Sequence, residues 1–258
     1  MSLTEHAPAA PSQARRSVRR PGAARRASPW WWLVAGSALV LAGVGAVMVV
    51  WWAASRETRN ASYRVIGSLS ALELDVGDAA VDISGGSGSV EVRRTDEYAF
   101  GRPPTERRTV EASTLRISSH CPDNVVGTCR TSYRIAVPDN VRLAVRTSTG
   151  RVHVAGFTGS ARIATGAGPI AVDGFCGFLL TATSSSGDVR AGAECSPDRL
   201  ELRSVSGNVH AVVPTGRYRV DANSDAGTAR VREILAADDA SFAVQAFSGS
   251  GDVLVEGR

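Results

Sequence analysis

Four cysteines, four histidines and scattered aspartates are the residue types in this 258-residue chain from which chemistry could be built. Cys121, Cys129, Cys176 and Cys195 all lie beyond residue 54. His120 beside Cys121, with Cys129 further on, offers ligands of the kind zinc takes. Zinc sites use tighter paired spacings and four ligands. The even cysteine count fits two disulfides better, in a compartment that permits them. Glycan cleavage would call for clustered carboxylates. Asp188 and Asp252 share a register, and Asp238 and Asp239 sit together in a longer insertion. Pro169, Asn208 and Thr228 fill the Asp188 column elsewhere. The chain has no Lys at all, which excludes a Walker-type phosphate loop. The expected catalytic, cofactor-binding and metal residues are therefore none, and no cofactor is expected. A polysaccharide-active enzyme using Asp188, Asp238 and Asp239 is the alternative.

The elements that would hold these side chains come from a repeat. One signature recurs: Ser or Thr, two residues, Gly, any residue, an aliphatic residue, any residue, a second aliphatic. It runs Thr147-Ser148-Thr149-Gly150-Arg151-Val152-His153-Val154 and returns around Gly168, Gly187, Gly207, Gly227 and Gly251. An earlier copy surrounds Gly88, with Val90 and Val92. A second alternating run lies between signatures, as in Leu143 and Val145 or Leu200 and Leu202. Period-two alternation predicts strands with one buried face. Glycine supplies φ > 0 or a tight turn, and the neighbouring hydroxyls bond backbone at the corner.

The predicted fold is all-β, a parallel β-solenoid of about 18–20 residues per coil, preceded by one N-terminal transmembrane helix. A β-sandwich shares the short strands and turn signals but does not require one signature at this spacing. Residues 63–142 read as the N-terminal cap and first coils, with an exposed loop over 93–108. Cys176 and Cys195 each follow a signature glycine at the same offset. They should stack on adjacent coils and bond, leaving Cys121 to close a short loop with Cys129.

The turn Ala136-Val137-Pro138-Asp139-Asn140 and the coil Ser184-Ser185-Ser186-Gly187-Asp188-Val189 carry a resemblance. Over about residues 65–258 the chain resembles the bacterial putative-adhesin family of β-strand-repeat domains. The resemblance implies the fold and a binding role. It transfers no catalytic residues, because the signature is structural.

The charge separates by segment. The chain has 29 Arg against 25 acidic residues, a net charge of +4. Residues 1–29 hold six of those Arg and one Glu, residues 30–54 hold no charge, and the remainder is near neutral. A basic nucleic-acid-binding domain is thereby excluded, and no nucleic-acid partner is expected. Residues 1–29, poor in large apolar side chains, read as a disordered basic cytoplasmic tail. Residues 30–54 are long enough to cross a bilayer. Trp30, Trp31 and Trp32 at one end and Trp51 and Trp52 at the other form a double aromatic belt. A cleaved signal peptide has a shorter apolar region with small residues before the cut. A retained anchor fits better, with residues 55–64 as linker and 65–258 as the extracytoplasmic domain. The Arg-rich flank keeps the N-terminus inside. Ala38, Ala42 and Ala46 offer a close-packed helix face.

These readings combine as a single-pass protein of the cell membrane, its partner the lipid bilayer through residues 30–54. The outer domain would act by binding or scaffolding an envelope polymer or protein. His153, Arg190, His210 and Arg230 share one outward column, which is either a broken basic ladder for an anionic polymer or a solvated face. The chain stops directly after the last signature, so an open coil end could drive homo-oligomerisation by end stacking. Envelope signalling through the tail is a further alternative.

Overall fold

A computed structural model describes residues 30–86, 88–100, 102–122 and 128–258. The tail of residues 1–29, read as disordered, lies outside the described residues. The described residues divide into two compact units, one ending at residue 50 and the other spanning residues 51–258. α1 (Trp30–Ala54) is one uninterrupted helix, long and apolar enough to cross a membrane, with no buried residue.

The remainder is β-structure. β1 (Arg56–Val65), β2 (Ala71–Asp75), β3 (Ala80–Gly86), β4 (Val90–Ala99), β5 (Thr105–Glu111), β6 (Thr114–His120) and β7 (Cys129–Pro138) make its N-terminal end. Coils follow as strand pairs: β8 (Arg142–Thr147) with β9 (Val152–Ala155), β10 (Ala161–Thr165) with β11 (Ile170–Phe175), β12 (Leu179–Ser184) with β13 (Val189–Ala193), and β14 (Arg199–Ser204) with β15 (Val209–Val213). β16 (Arg217–Ser224), β17 (Ala229–Arg232), β18 (Leu235–Ala236), β19 (Phe242–Ser248) and β20 (Val253–Gly257) complete the chain.

Two ten-stranded sheets face each other. One runs β1-β4-β7-β3-β9-β11-β13-β15-β20-β17, the other β18-β16-β19-β14-β12-β10-β8-β2-β6-β5. Pairing is parallel except where β1 and β7 meet β4 and where β5 meets β6. Strands pair in register from coil to coil, so Val145, Ile163, Ala182 and Leu202 stack inward in one column. Leu180, Ala182, Val189, Leu200, Val244 and Val255 are essentially sealed from solvent. Each such aliphatic side chain contributes about 1.5–3 kcal/mol through burial.

Of the two reasons expected for the signature glycine, positive φ does not apply. Gly150, Gly168, Gly187, Gly207, Gly227 and Gly251 do not have positive φ; Gly67, Gly77, Gly88, Gly156 and Gly174 do. The signature glycines stack too closely for a side chain. A Cβ on Gly207 would lie 2.3 Å from the Gly187 carbonyl oxygen, and one on Gly251 would lie 2.4 Å from that of Gly207. Gly88 stands apart from this column, in the turn between β3 and β4.

The Ser or Thr three residues earlier completes five of the six corners, while Thr165 donates instead to its own Gly168 carbonyl at 2.6 Å. Ser204 Oγ accepts from the Gly207 amide at 2.8 Å and donates to the Gly187 carbonyl of the coil before at 2.9 Å. Ser184, Ser224, Ser248 and Thr147 make the same pair of bonds at their own corners. One hydroxyl thus closes its own turn and ties it to the neighbour. Ser204→Ala leaves a buried amide and a carbonyl each short of a partner, which costs about 1–3 kcal/mol. Urea unfolding should show that loss as a lower midpoint at unchanged slope.

Several sequence expectations need correction. Residues 55–64 are no linker: β1 pairs with β4 along its whole length. It is polar on both faces because it is an edge strand, exposed except at Tyr63 and Val65. The loop expected over 93–108 is largely strand, and Arg94 and Asp96 point inward. The coils also do not stack in chain order at either end. β2 and β3 sit between β6 and β7 on one side and β8 and β9 on the other. β19 and β20 sit between β14/β15 and β16/β17. The last coil in sequence is therefore not the last in space.

Candidate functional site

The cysteines are structural. Cys176 and Cys195 are bonded across adjacent coils with Cα atoms 4.6 Å apart, and Cys121 is bonded to Cys129 at 5.9 Å. With both sulfurs in a disulfide, His120, Cys121 and Cys129 do not form a zinc ligand set. The bridges staple neighbouring turns, a restraint worth about 2–4 kcal/mol each.

Of the carboxylates weighed for catalysis, Asp188 and Asp252 serve as corner fasteners. Asp188 Oδ1 accepts from the Asn208 amide at 2.7 Å, and Asn208 Oδ1 accepts from the Asp252 amide at 2.9 Å. Asp252 Oδ1 accepts from the Thr228 amide at 2.8 Å and from its hydroxyl at 2.9 Å. Those bonds, the amide first, hold the Asp252 carboxyl below its ordinary range. Asp239 accepts from Arg217 at 2.7 Å. The outward column containing His153, Arg190, His210 and Arg230 also holds Ala171 and Leu254, and acids flank it in the next column. His153 lies 3.1 Å from Asp173, and His210 lies 2.9 Å from Glu256. That face is closer to neutral than a basic ladder.

Two features were not anticipated. The first is an ionic cluster inside the N-terminal end. Arg94 on β4 donates to Asp96 at 2.7 Å, to Glu106 on the opposite sheet, and to the Pro104 carbonyl at 3.1 Å. Tyr63 donates to the second oxygen of Glu106 at 2.7 Å, and the Arg108 guanidinium covers the Tyr63 ring at 4.1 Å. Both sheets are thus tied together where β1 joins the domain. Burial acts against the Arg94 charge, but the bonds to Glu106 and Asp96 outweigh it and raise its pKa. Burial, reinforced by Glu106, raises the Tyr63 phenol far above its ordinary value; burial also pushes Tyr133 up to about 12.

Raised phenol values favour the neutral form in the fold. Their stabilisation is complete below the ordinary value of 10 and is lost as pH climbs through the folded-state values. Stability should therefore fall between pH 10 and about 12. Tyr63→Phe/Tyr133→Phe should flatten that fall in alkaline thermal melts.

The second feature is a groove of about 410 Å³ on the outer face of the sheet, crossing β12, β14, β19 and β16. Parallel register sets Thr181, Glu201, Gln245 and Asp221 in one row and Thr183, Arg203, Phe247 and Asn223 in the next. Within a row, neighbours stand roughly 4.8 Å apart. Arg203 stacks on the Phe247 ring at 4.6 Å. Outward positions of a strand carry no hydrophobic period, so this set was not distinguishable from a solvated face in the sequence.

Several solved structures are similar to this chain over most of its length. A putative cell adhesion protein from Clostridium sporogenes has 10% identity and a TM-score of 0.47, covering 78% of this chain and 100% of its own. A putative adhesin from Bacteroides fragilis has 12% identity and a TM-score of 0.43, covering 78% and 97%. A putative lipid binding protein from Parabacteroides distasonis has 13% identity and a TM-score of 0.34, covering 77% and 96%. Comparison with curated proteins found no match. The model of the Toastrack DUF4097 domain family matches residues 68–256, the span of the stacked coils, and the chain belongs to that family.

Proposed function

We propose that this protein is a single-pass membrane protein, N-terminus in the cytoplasm, that displays its solenoid on the outer side and binds an envelope polymer there. Three features support that placement: the Trp-flanked apolar helix, the arginines before it, and two disulfides in the domain beyond it.

The observation that carries the binding reading is the double row on the outer sheet. Eight side chains from four strands line one shallow groove, and seven of them can hydrogen-bond. Phe247 adds a ring beside Arg203, Gln245 and Asn223. Planar polar groups at a fixed repeat next to an aromatic ring suit an extended, hydroxyl-rich chain such as a glycan. Such a ligand would lie along the solenoid axis and be bound by many weak contacts.

Full-length protein in detergent, titrated with a panel of purified envelope glycans and anionic lipids, tests this reading. A glycan should bind, and Phe247→Ala/Asn223→Ala should weaken it at least about tenfold, the loss of roughly 1.4 kcal/mol. Binding that the double variant leaves unchanged, or binding to lipid alone, would overturn the groove assignment.

A further inference from the structure

The two ends of the solenoid are built differently. At the N-terminal end the outermost strands are β1 and β5, each antiparallel to its neighbour. They carry Arg56, Glu57, Arg59, Arg107, Arg108 and Glu111, and the interior behind them holds the Arg94–Asp96–Glu106 cluster. Charges on an edge and pointing into it are the usual protection against strand addition.

The other end is charged too, with Arg219 and Asp221 on β16 and Arg230 and Arg232 on β17, but among the described residues no buried ionic cluster stands behind those strands. β17 is the last strand of its sheet, and β16 is covered on its outer side only at Arg217 and Tyr218, by β18. From Arg219 to Ser224 the outer edge of β16 has no neighbouring strand among the described residues. The inward columns also run out into solvent. Val244 and Val255, one coil in, are 0% exposed, while Val231, directly over Val255, is 43% exposed. Val220 and Ala222 are half-buried, and Ala229 is exposed. The hydrophobic core is cut across here, with two unpaired backbone edges on either side of it.

We propose that this end is an interface with a second copy of the chain, two solenoids meeting end to end about a twofold axis. Within a coil β16 and β17 run in opposite directions. A twofold axis along the strands lays β16 of one copy beside β17 of the other, antiparallel, on both sheets at once. Every open edge is then paired and both cut cores close on each other. This axis brings Asp221 on β16 towards Arg230 and Arg232 on β17 of the second copy. An axis perpendicular to the sheets would instead set those arginines against themselves. The contact is isologous, so assembly stops at the dimer. It extends the hydrophobic columns of each solenoid into the other. The inference stands apart from the proposed function, since it needs neither the membrane placement nor the groove.

Hydrogen exchange on full-length protein in detergent, run across a dilution series, tests it without any substitution. Amides of residues 219–224 and 229–232 should become protected as concentration rises, while those of β1 and β5 stay unchanged. Native mass spectrometry should show a dimer that Val231→Lys reduces to monomer. Val231 is already part-exposed, so lysine can reach water in the single copy but not in the stack. Ala229→Lys, also at an exposed position, should act alike, and both variants should keep the parent's far-ultraviolet circular dichroism while losing the concentration dependence of its melting temperature. Ala42→Leu in α1 should leave the dimer intact. Concentration-independent exchange, a monomer at every concentration, or a dimer lost through Ala42→Leu but kept in Val231→Lys would each overturn the proposal.

Discussion

Gly187→Ala should destabilise the solenoid by at least about 3 kcal/mol, among the larger single-methyl effects the fold can show. The added Cβ would meet the Gly168 carbonyl oxygen at 2.2 Å, its carbon at 2.5 Å and the Pro169 nitrogen at 2.9 Å. All three are backbone atoms, so no side chain can swing aside. The spacing of the turns is also fixed, because β10–β12 and β11–β13 pair in register on both sides of the corner. Relief would require parting two ladders. Gly187 is not in the left-handed region, so the loss is purely steric. For a domain of this size it corresponds to roughly 6–12 °C in melting temperature. Gly192→Ala is the control, since a Cβ there would find its nearest neighbour, the Val172 carbonyl oxygen, at 3.9 Å. Circular dichroism melts of both variants decide the matter. Equal melting temperatures would mean that the turns are not as closely stacked as described.

Arg94→Met should cost about 3–5 kcal/mol, for an electrostatic reason. Arg94, Asp96 and the Glu106 side chain are all less than one-tenth exposed. Removing the guanidinium strands the Asp96 carboxylate in the interior, leaves Glu106 to Tyr63 and to the half-exposed Arg108 at 3.4 Å, and frees the Pro104 carbonyl as well. A buried pair is weak evidence of stability, but breaking one is expensive. Arg94→Met/Asp96→Asn/Glu106→Gln should therefore recover most of the loss, because Gln still accepts from Tyr63 and no charge is left behind. A single variant as stable as the parent would show that water reaches this cluster. A triple variant no better than the single would assign the effect to packing.

Much of the fold is legible in the residues because the solenoid restates one instruction at every coil. Thr147 to Gly150 and Ser204 to Gly207 carry the same spacing because the same hydroxyl closes the same turn. The equal offset of Cys176 and Cys195 follows from that register. The glycine itself is ambiguous in sequence: a left-handed turn and a crowded stack both demand it, and only the three-dimensional spacing separates them. β1 escapes a reading based on alternation because an exposed edge strand has no buried face to mark. Arg94 and Asp96 alternate in phase with Val90 and Val92, yet two charges in that phase read as loop until Glu106 is brought across from the other sheet. The order of coils at the ends is hidden for a different reason. The copies around Gly227 and Gly251 are alike, so either could stack on Gly207. Only the longer insertion over 233–241 distinguishes them, by giving the chain length to return inward. The outer groove depends on residues from four strands, and no local pattern links Thr183, Arg203, Asn223 and Phe247.

The central claim is the placement of the solenoid relative to the membrane, and protease accessibility in intact cells tests it most directly. Full-length protein carrying one epitope before residue 30 and another after Arg258 would be expressed in its membrane and treated with external protease. The C-terminal epitope should be released or degraded, while the N-terminal one stays protected and attached to a fragment that includes residues 30–54. A protected solenoid with a cleavable N-terminus would contradict the account.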